Sequence, residues 1–236
     1  SGWGSFARYV ALPYADENLV ELPDDMSFTT AAGLGCRFAA AFRAVVDQGG
    51  VTEGSTLAVW GCGGVGLSAV MIAAALGAEV HAVDVDPDAL ALATRFGAQR
   101  TLRATDGIDI ASSIRDATNG GVDVSIDALG ATTTSVDSIR SLRKQGRHIQ
   151  VGLMIGEDAK PVIPMWRLHA FEIELHGSHG MQTWRYPAML EMVRSGAVDP
   201  GSLVTGTVDL QTGAEHLERL GDFPGNGFVV IDDFRS

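Results

Sequence analysis

Residues 56–84 read TLAVWGCGGVGLSAVMIAAALGAEVHAVD, and the fold follows from that stretch. Leu57 to Trp60 is a short apolar run that predicts a buried strand. Gly64 to Leu76 carries Ala, Val, Met and Ile on most faces, which predicts a helix buried all round. Gly77 ends it, because glycine takes the left-handed conformation of a helix C-terminus without steric cost. Val80 to Val85 is then a second strand.

The same rhythm continues outward. Pro87 opens a helix at a first-turn position, and that helix ends near Gly97. A weak strand at Arg100 to Leu102, a helix at Ile108 to Thr118, a strand at Val122 to Ala128, a helix at Thr132 to Leu142 and strands at His148 to Val151 and Phe171 to Gly177 follow. Alternating apolar strands and helices form an α/β, doubly wound parallel sheet covered on both faces. Before this region, residues 5–12 read as a strand, and Thr29 or Thr30 caps an alanine-rich helix running to about Val46. After Met181 the pattern changes to a helix at Tyr186 to Arg194 and short strands at Leu203 to Val208 and Phe228 to Ile231. The expected organisation is therefore a sheet domain at 37–181 and a second domain built from 1–36 and 182–236.

The turn between the first strand and its helix is Gly-Cys-Gly-Gly-Val-Gly, a G-x-G-x-x-G pattern at Gly61, Gly63 and Gly66. Gly61 allows a tight turn, Gly63 lets backbone approach a pyrophosphate, and Gly66 lets helix and strand pack closely. Gly64 opens the helix whose unpaired N–H groups and positive dipole end face the phosphates. Asp84 follows Gly66 by about 18 residues, close to the roughly 20 expected of a carboxylate that binds the adenosine ribose. It would repel a 2′-phosphate, and Val85, Asp86, Pro87 and Asp88 bring no cation to hold one. NAD is expected over NADP.

Composition narrows the partners. The formal net charge of −12 disfavours nucleic acid and anionic lipid surfaces. The longest apolar run, Val65 to Leu76, is too short to span a bilayer. Two cysteines, Cys36 and Cys62, and no secretory leader make a reducing cytoplasm the default location. The chain begins at Ser1 in what reads as a mid-domain strand without earlier partners, as a piece of something longer would.

Together, Gly-Ser-Phe-Ala-Arg-Tyr-Val at 4–10, Ala-Ala-Gly-Leu-Gly-Cys at 31–36, Gly-Cys-Gly-Gly-Val-Gly-Leu-Ser at 61–68, Ala-Val-Asp at 82–84 and Val-Gly-Leu at 151–153 resemble the zinc-dependent alcohol dehydrogenases of the medium-chain dehydrogenase/reductase superfamily. The resemblance implies a two-domain subunit whose chain ends form part of a GroES-like catalytic domain. It implies that Val65 lies on the cofactor side of the loop, and that Ala128, Leu129 and Gly130 contact the adenosine-side ribose and the nicotinamide. Val151 and Gly152 would meet the nicotinamide amide, with Ser178 and His179 where the chain crosses beneath it. Cys36 would be a catalytic zinc ligand, the remaining ligands lying before Ser1 and the chain as given being inactive. An alcohol or aldehyde substrate and a homodimer or homotetramer are implied in the same way. The alternatives are a zinc-free quinone or enone reductase of the superfamily, against which Asp84 and Cys36 argue, and a non-catalytic NAD-binding subunit.

Other conspicuous residues read more plainly. Cys62 is a small filler of the loop, and His81, on the second strand, reads as a polar edge residue or a satisfied core histidine. His169, His176 and His179 share no helix or strand face, so they do not read as a metal cluster. Trp166 and Trp184 read as packing residues, with a place in a subunit interface as the alternative.

Overall fold

The computed structural model describes residues 6–7, 9–105, 107–219 and 227–234. They fall into two compact units, Arg37–Gly180 and the pair of segments Ser1–Cys36 and Met181–Ser236.

The chain ends form the first of these. A single turn α1 (Ala15–Asn18) precedes a short helix α2 (Phe28–Ala32). The cap of α2 is Ser27, one position before the helix and ahead of either expected threonine; its hydroxyl accepts from Thr30 N at 3.1 Å. Of the expected strand at 5–12, residues 6–7 and 9–12 are irregular, with Tyr9 86% exposed, while residues 5 and 8 lie outside the described residues. A strand exists only where another supplies its hydrogen bonds, and none pairs with it among the described residues.

The other unit begins with helix α3 (Ala39–Phe42), flanked by wider π-type turns at Leu34–Phe38 and Arg43–Gln48, so the alanine-rich helix is continuous in extent but not in pitch. Strand β1 (Thr56–Trp60) enters the glycine loop, and α4 (Gly64–Ala75) leaves it with Leu67, Val70 and Ile72 fully buried. There follow β2 (Glu79–Asp84), α5 (Pro87–Arg95), β3 (Arg100–Arg103), α6 (Ile110–Ala117), β4 (Val122–Asp127), α7 (Thr132–Ser141), β5 (Leu142–Gln150), α8 (Met165–Phe171) and β6 (Glu174–Gly177). All six strands run parallel in the order β3-β2-β1-β4-β5-β6, the order of dinucleotide-binding sheets, with its topological switch between β1 and β4. Two boundaries differ from expectation. Strand β5 starts at Leu142, not His148, because Leu142 pairs with Val122 of β4 and, after an irregularity, Arg147 pairs with Val124 of β4 and Glu174 of β6. Phe171 belongs to α8, which closes on Glu172 in the left-handed conformation, so β6 begins only at Glu174.

The C-terminal segment supplies α9 (Tyr186–Arg194), β7 (Val204–Asp209), α10 (Leu210–Glu218) and β8 (Phe228–Asp233), with β7 and β8 parallel. Helix α10 has no counterpart in the sequence reading. Asp209 caps it by accepting from Thr212 N at 2.7 Å, and the mid-helix Gly213 that obscures its period is where Ile231 packs; a Cβ there would overlap that side chain.

Among the described residues no helix is long and apolar enough to cross a membrane.

Candidate functional site

The carboxyl ends of β1, β2, β4, β5 and β6 bring together most of the residues singled out from sequence. The glycine loop takes the shape its spacing predicts. Gly61 has φ +90°, and its N–H donates to Val83 O at 2.8 Å. A Cβ on Gly66 would overlap the Gly61 carbonyl, so only hydrogen fits between strand and helix there. A Cβ on Gly63 would meet nothing within 4 Å: the glycine faces open space. No side chain caps α4, so the N–H groups of Gly64, Val65 and Gly66 have no intrahelical partner.

Asp84 closes the loop from below. Its Oδ2 accepts from Cys62 N at 2.6 Å and its Oδ1 from Asp86 N at 2.9 Å. Two backbone bonds use two of the four lone-pair positions of the carboxylate. Cys62 is fully buried, its thiol directed to Val83 O at 3.7 Å; burial first, then the neighbouring Asp84, pushes its pKa up to about 12. A thiol so held is an inert filler.

On the other side of β1, the Asp127 carboxylate is wholly buried at the end of β4. Oδ1 accepts from Leu129 N at 2.9 Å, Gly130 N at 3.0 Å and Thr134 Oγ1 at 3.2 Å, while Oδ2 accepts from Gln150 Nε2 at 2.9 Å. Its carbonyl accepts from Val151 N at 3.0 Å and Gly152 N at 2.8 Å. Ala128 N bonds Trp60 O, tying this turn to β1. The turns cross backbone to backbone: a Cβ on Gly152 would overlap Gly130 N, and one on Gly130 would meet Leu153 O. Leu129 and Leu153 stand exposed at the rim.

Ser178 directly follows β6, its N–H on Gln150 O at 2.9 Å and its buried hydroxyl without a hydrogen-bond partner among the described residues. His179 is exposed; its carbonyl takes Arg43 Nη1 at 3.5 Å. His176 binds Glu174 at 2.8 Å. Cys36 is exposed, and among the described residues no three His, Cys, Asp or Glu side chains are grouped as a metal site would require. The residues present do not fit a closed tetrahedral zinc site.

Sequence reasoning passed over Asp127, Gln150, Arg37 and Arg103. The Arg37 stem lies on Gly64, where a Cβ would come 2.5 Å from Cδ, bringing a cation to the first turn of α4. Arg103, opposite Asp84 in register, donates from Nε to Val85 O at 3.0 Å. An acid at a strand end followed by Ala-Leu-Gly was the only signal for Asp127.

A parallel sheet of this order with a glycine loop at its switch point defines the doubly wound α/β class of fold. The family of zinc-binding dehydrogenases matches residues 64–195, and the chain belongs to that family, within the medium-chain dehydrogenase/reductase superfamily. It is 33% identical over 231 residues to an NAD-dependent alcohol dehydrogenase of Sulfurisphaera tokodaii, covering 97% of this chain and 64% of that protein. It is 28% identical over 222 residues to alcohol dehydrogenase class-2 isozyme 2 of Oryctolagus cuniculus, covering 93% and 58%. The solved alcohol dehydrogenase of Thermus sp. ATN1 superposes with a TM-score of 0.87 at 25% identity, covering 98% of this chain and 66% of that one. The chain thus spans about three fifths of the length of the curated relatives it matches.

Proposed function

We propose that this chain binds NAD across the carboxyl ends of β1, β2, β4 and β5, and that the protein it belongs to is a dehydrogenase acting on CH–OH groups of an alcohol or aldehyde pair. The single observation that carries this is the loop geometry: open space at Gly63, uncapped N–H groups at Gly64, Val65 and Gly66, and the Asp84 carboxylate fastened beneath them. A diphosphate placed over Gly63 would accept those N–H groups, with the Arg37 cation beside it. Asp84, with two lone-pair positions still available, would accept from the adenosine ribose hydroxyls. Because β2 and β4 flank β1 on opposite sides, the other half of the dinucleotide would extend over Ala128–Gly130 and Val151–Gly152, with Ser178 and His179 beyond.

Bound NAD supplies the hydride acceptor; the chain's residues bind it, orient it and hold the loops around it. The zinc chemistry of the family enters only through Cys36, an exposed thiol in a position matching a ligand, of a set the described residues do not complete. Isothermal titration of NAD, NADH and NADP into the chain tests the reading. NAD binding tighter than NADP, abolished by Gly63→Trp, is expected; no binding of either nucleotide overturns it.

A further inference from the structure

Beneath the two crossing turns runs a line of buried polar side chains that the binding reading does not use. Trp60 Nε1 lies 3.0 Å from Ser125 Oγ, Ser125 Oγ 2.7 Å from Ser138 Oγ, and Ser138 Oγ 2.9 Å from His148 Nδ1. His148 Nε2 lies 3.1 Å from Gln150 Oε1, and Gln150 Nε2 2.9 Å from both Asp127 Oδ2 and Gly152 O. Trp60, Ser125, Ser138, His148 and Asp127 are buried, on three neighbouring strands and α7.

The two ends, with a neutral imidazole between them, fix the direction of every bond. The indole N–H can only donate, and the carboxylate can only accept. Gln150 must therefore present its NH₂ to Asp127 and to the Gly152 carbonyl, which leaves its oxygen facing the imidazole. His148 Nε2 then carries the proton and Nδ1 accepts from the Ser138 hydroxyl. Ser138 having spent its proton, Ser125 donates to it, and Ser125 accepts from Trp60. Burial holds the His148 pKa below its usual value, which keeps the ring neutral, as this arrangement needs. No donor meets a donor anywhere along the line.

We propose that this directed relay, ending at Asp127, fixes the turns Leu129–Gly130 and Val151–Gly152 as one surface, and that Asp127 is the positioning residue for the half of the dinucleotide remote from Asp84. The proposal rests on the NAD-binding reading above. Asp127 gathers both turns: Leu129 N and Gly130 N on one oxygen, Gln150 on the other, with Gln150 in turn holding Gly152 O. An Asn at 127 cannot replace it. Its amide NH₂ would oppose either Gln150 Nε2 or the Leu129 and Gly130 N–H groups, donor against donor.

Two measurements test this. Long-range ¹H–¹⁵N correlation of the wild-type chain at pH 7.5 reads the His148 tautomer without any ligand. A protonated Nε2 with bare Nδ1 is expected; the opposite tautomer or a doubly protonated ring overturns the relay. Calorimetric titration of NAD and of AMP into wild type, Asp127→Asn and Gln150→Met reads the positioning role. Asp127→Asn is expected to weaken NAD about tenfold or more while AMP, confined to the Asp84 half, changes less than about twofold. Gln150→Met, which leaves the Leu129 and Gly130 bonds intact, is expected to do the same more mildly, and carries the test should Asp127→Asn not fold. Equal loss of both nucleotides, or loss of neither, overturns the role of Asp127. Wild-type chain that binds neither overturns the NAD reading itself and the positioning role with it, while the tautomer result stands apart as the test of the relay.

Discussion

Asp84 Oδ2 accepts the backbone N–H of Cys62 at 2.6 Å, so the acid expected to grip a sugar also sets the shape of the loop expected to grip a diphosphate. One side chain couples two subsites. Substituting it should disturb both, and the neighbouring Arg103 decides in which direction the preference moves.

Asp84→Ala removes the negative charge and leaves the Arg103 guanidinium beside Val85. The expected result is weaker NAD binding and a shift of the NAD-to-NADP affinity ratio toward NADP by about tenfold or more, as a charge-assisted bond to phosphate replaces a repulsion. Adding Arg103→Ala should reverse the shift. Competitive titration of the two cofactors measures it; an unchanged ratio in the single variant refutes it.

The glycines of the loop should separate stability from binding. Gly66→Ala places a methyl on the Gly61 carbonyl and should cost about 1–3 kcal/mol by urea denaturation. Gly63→Ala meets no protein atom and has an ordinary φ of −76°, so stability should stay within about 0.5 kcal/mol while NAD affinity falls. Equal destabilisation of the two variants would contradict the geometry.

Arg147 reaches from β5 to the end of the Arg43–Gln48 turns, donating to Gln48 O at 3.0 Å and Gly49 O at 3.2 Å, and to Glu174 at 2.8 Å. It satisfies carbonyls that a helix end otherwise leaves bare. Arg147→Met should lose about 1–2 kcal/mol, and Glu174→Gln clearly less, since that pair is half exposed. Chemical denaturation of both variants checks the order.

Acid should weaken the fold early. His148 and His81 are buried with pKa values below the ordinary 6.5, in both cases chiefly through desolvation. The unfolded chain therefore takes up protons first, and stability falls as pH drops below about 6.5, by up to about 1.4 kcal/mol per pH unit for each ring. Glu174, brought down to about 2 mainly by the Arg147 hydrogen bond, loses its contribution only as pH falls from about 4.5 toward 2. The urea midpoint should thus decline between pH 7 and 5.5, and His148→Gln should flatten that decline. A midpoint independent of pH over this interval would refute the neutral, buried assignment.

Much of the architecture was legible because apolar runs and glycines carry it. Strand β1, helix α4, Gly77 and strand β2 sit within a residue or two of their expected places, since a parallel strand buried on both faces and an all-round apolar helix leave little alternative. Residues 143–147 were not legible. Arg-Lys-Gln-Gly-Arg has no strand pattern of its own: Gln145 has φ +58°, the register with β4 shifts across this stretch, and of the five only Arg147 pairs with β4 and β6. The opposite error at residues 9–12 has the same root, an apparent strand that no neighbour pairs with among the described residues. In the site, glycines and the acid at Asp84 announce themselves by spacing. Asp127, Gln150 and His148 do not: their side-chain partners come from β4, β5, α7 and the turns after the two strands, and only the folded sheet shows a carboxylate held by four donors with no cation among them.

The crossing of Gly130 over Gly152 leaves no room for a side chain on either. Two peptide segments in such contact cannot swing independently; any opening at the end of β4 must drag the end of β5 along. Whatever rests on that face is met by a single stiff platform, so adaptation to differently shaped guests falls to the exposed leucines at its rim, Leu129 and Leu153, and a change of guest is most readily won by exchanging those two.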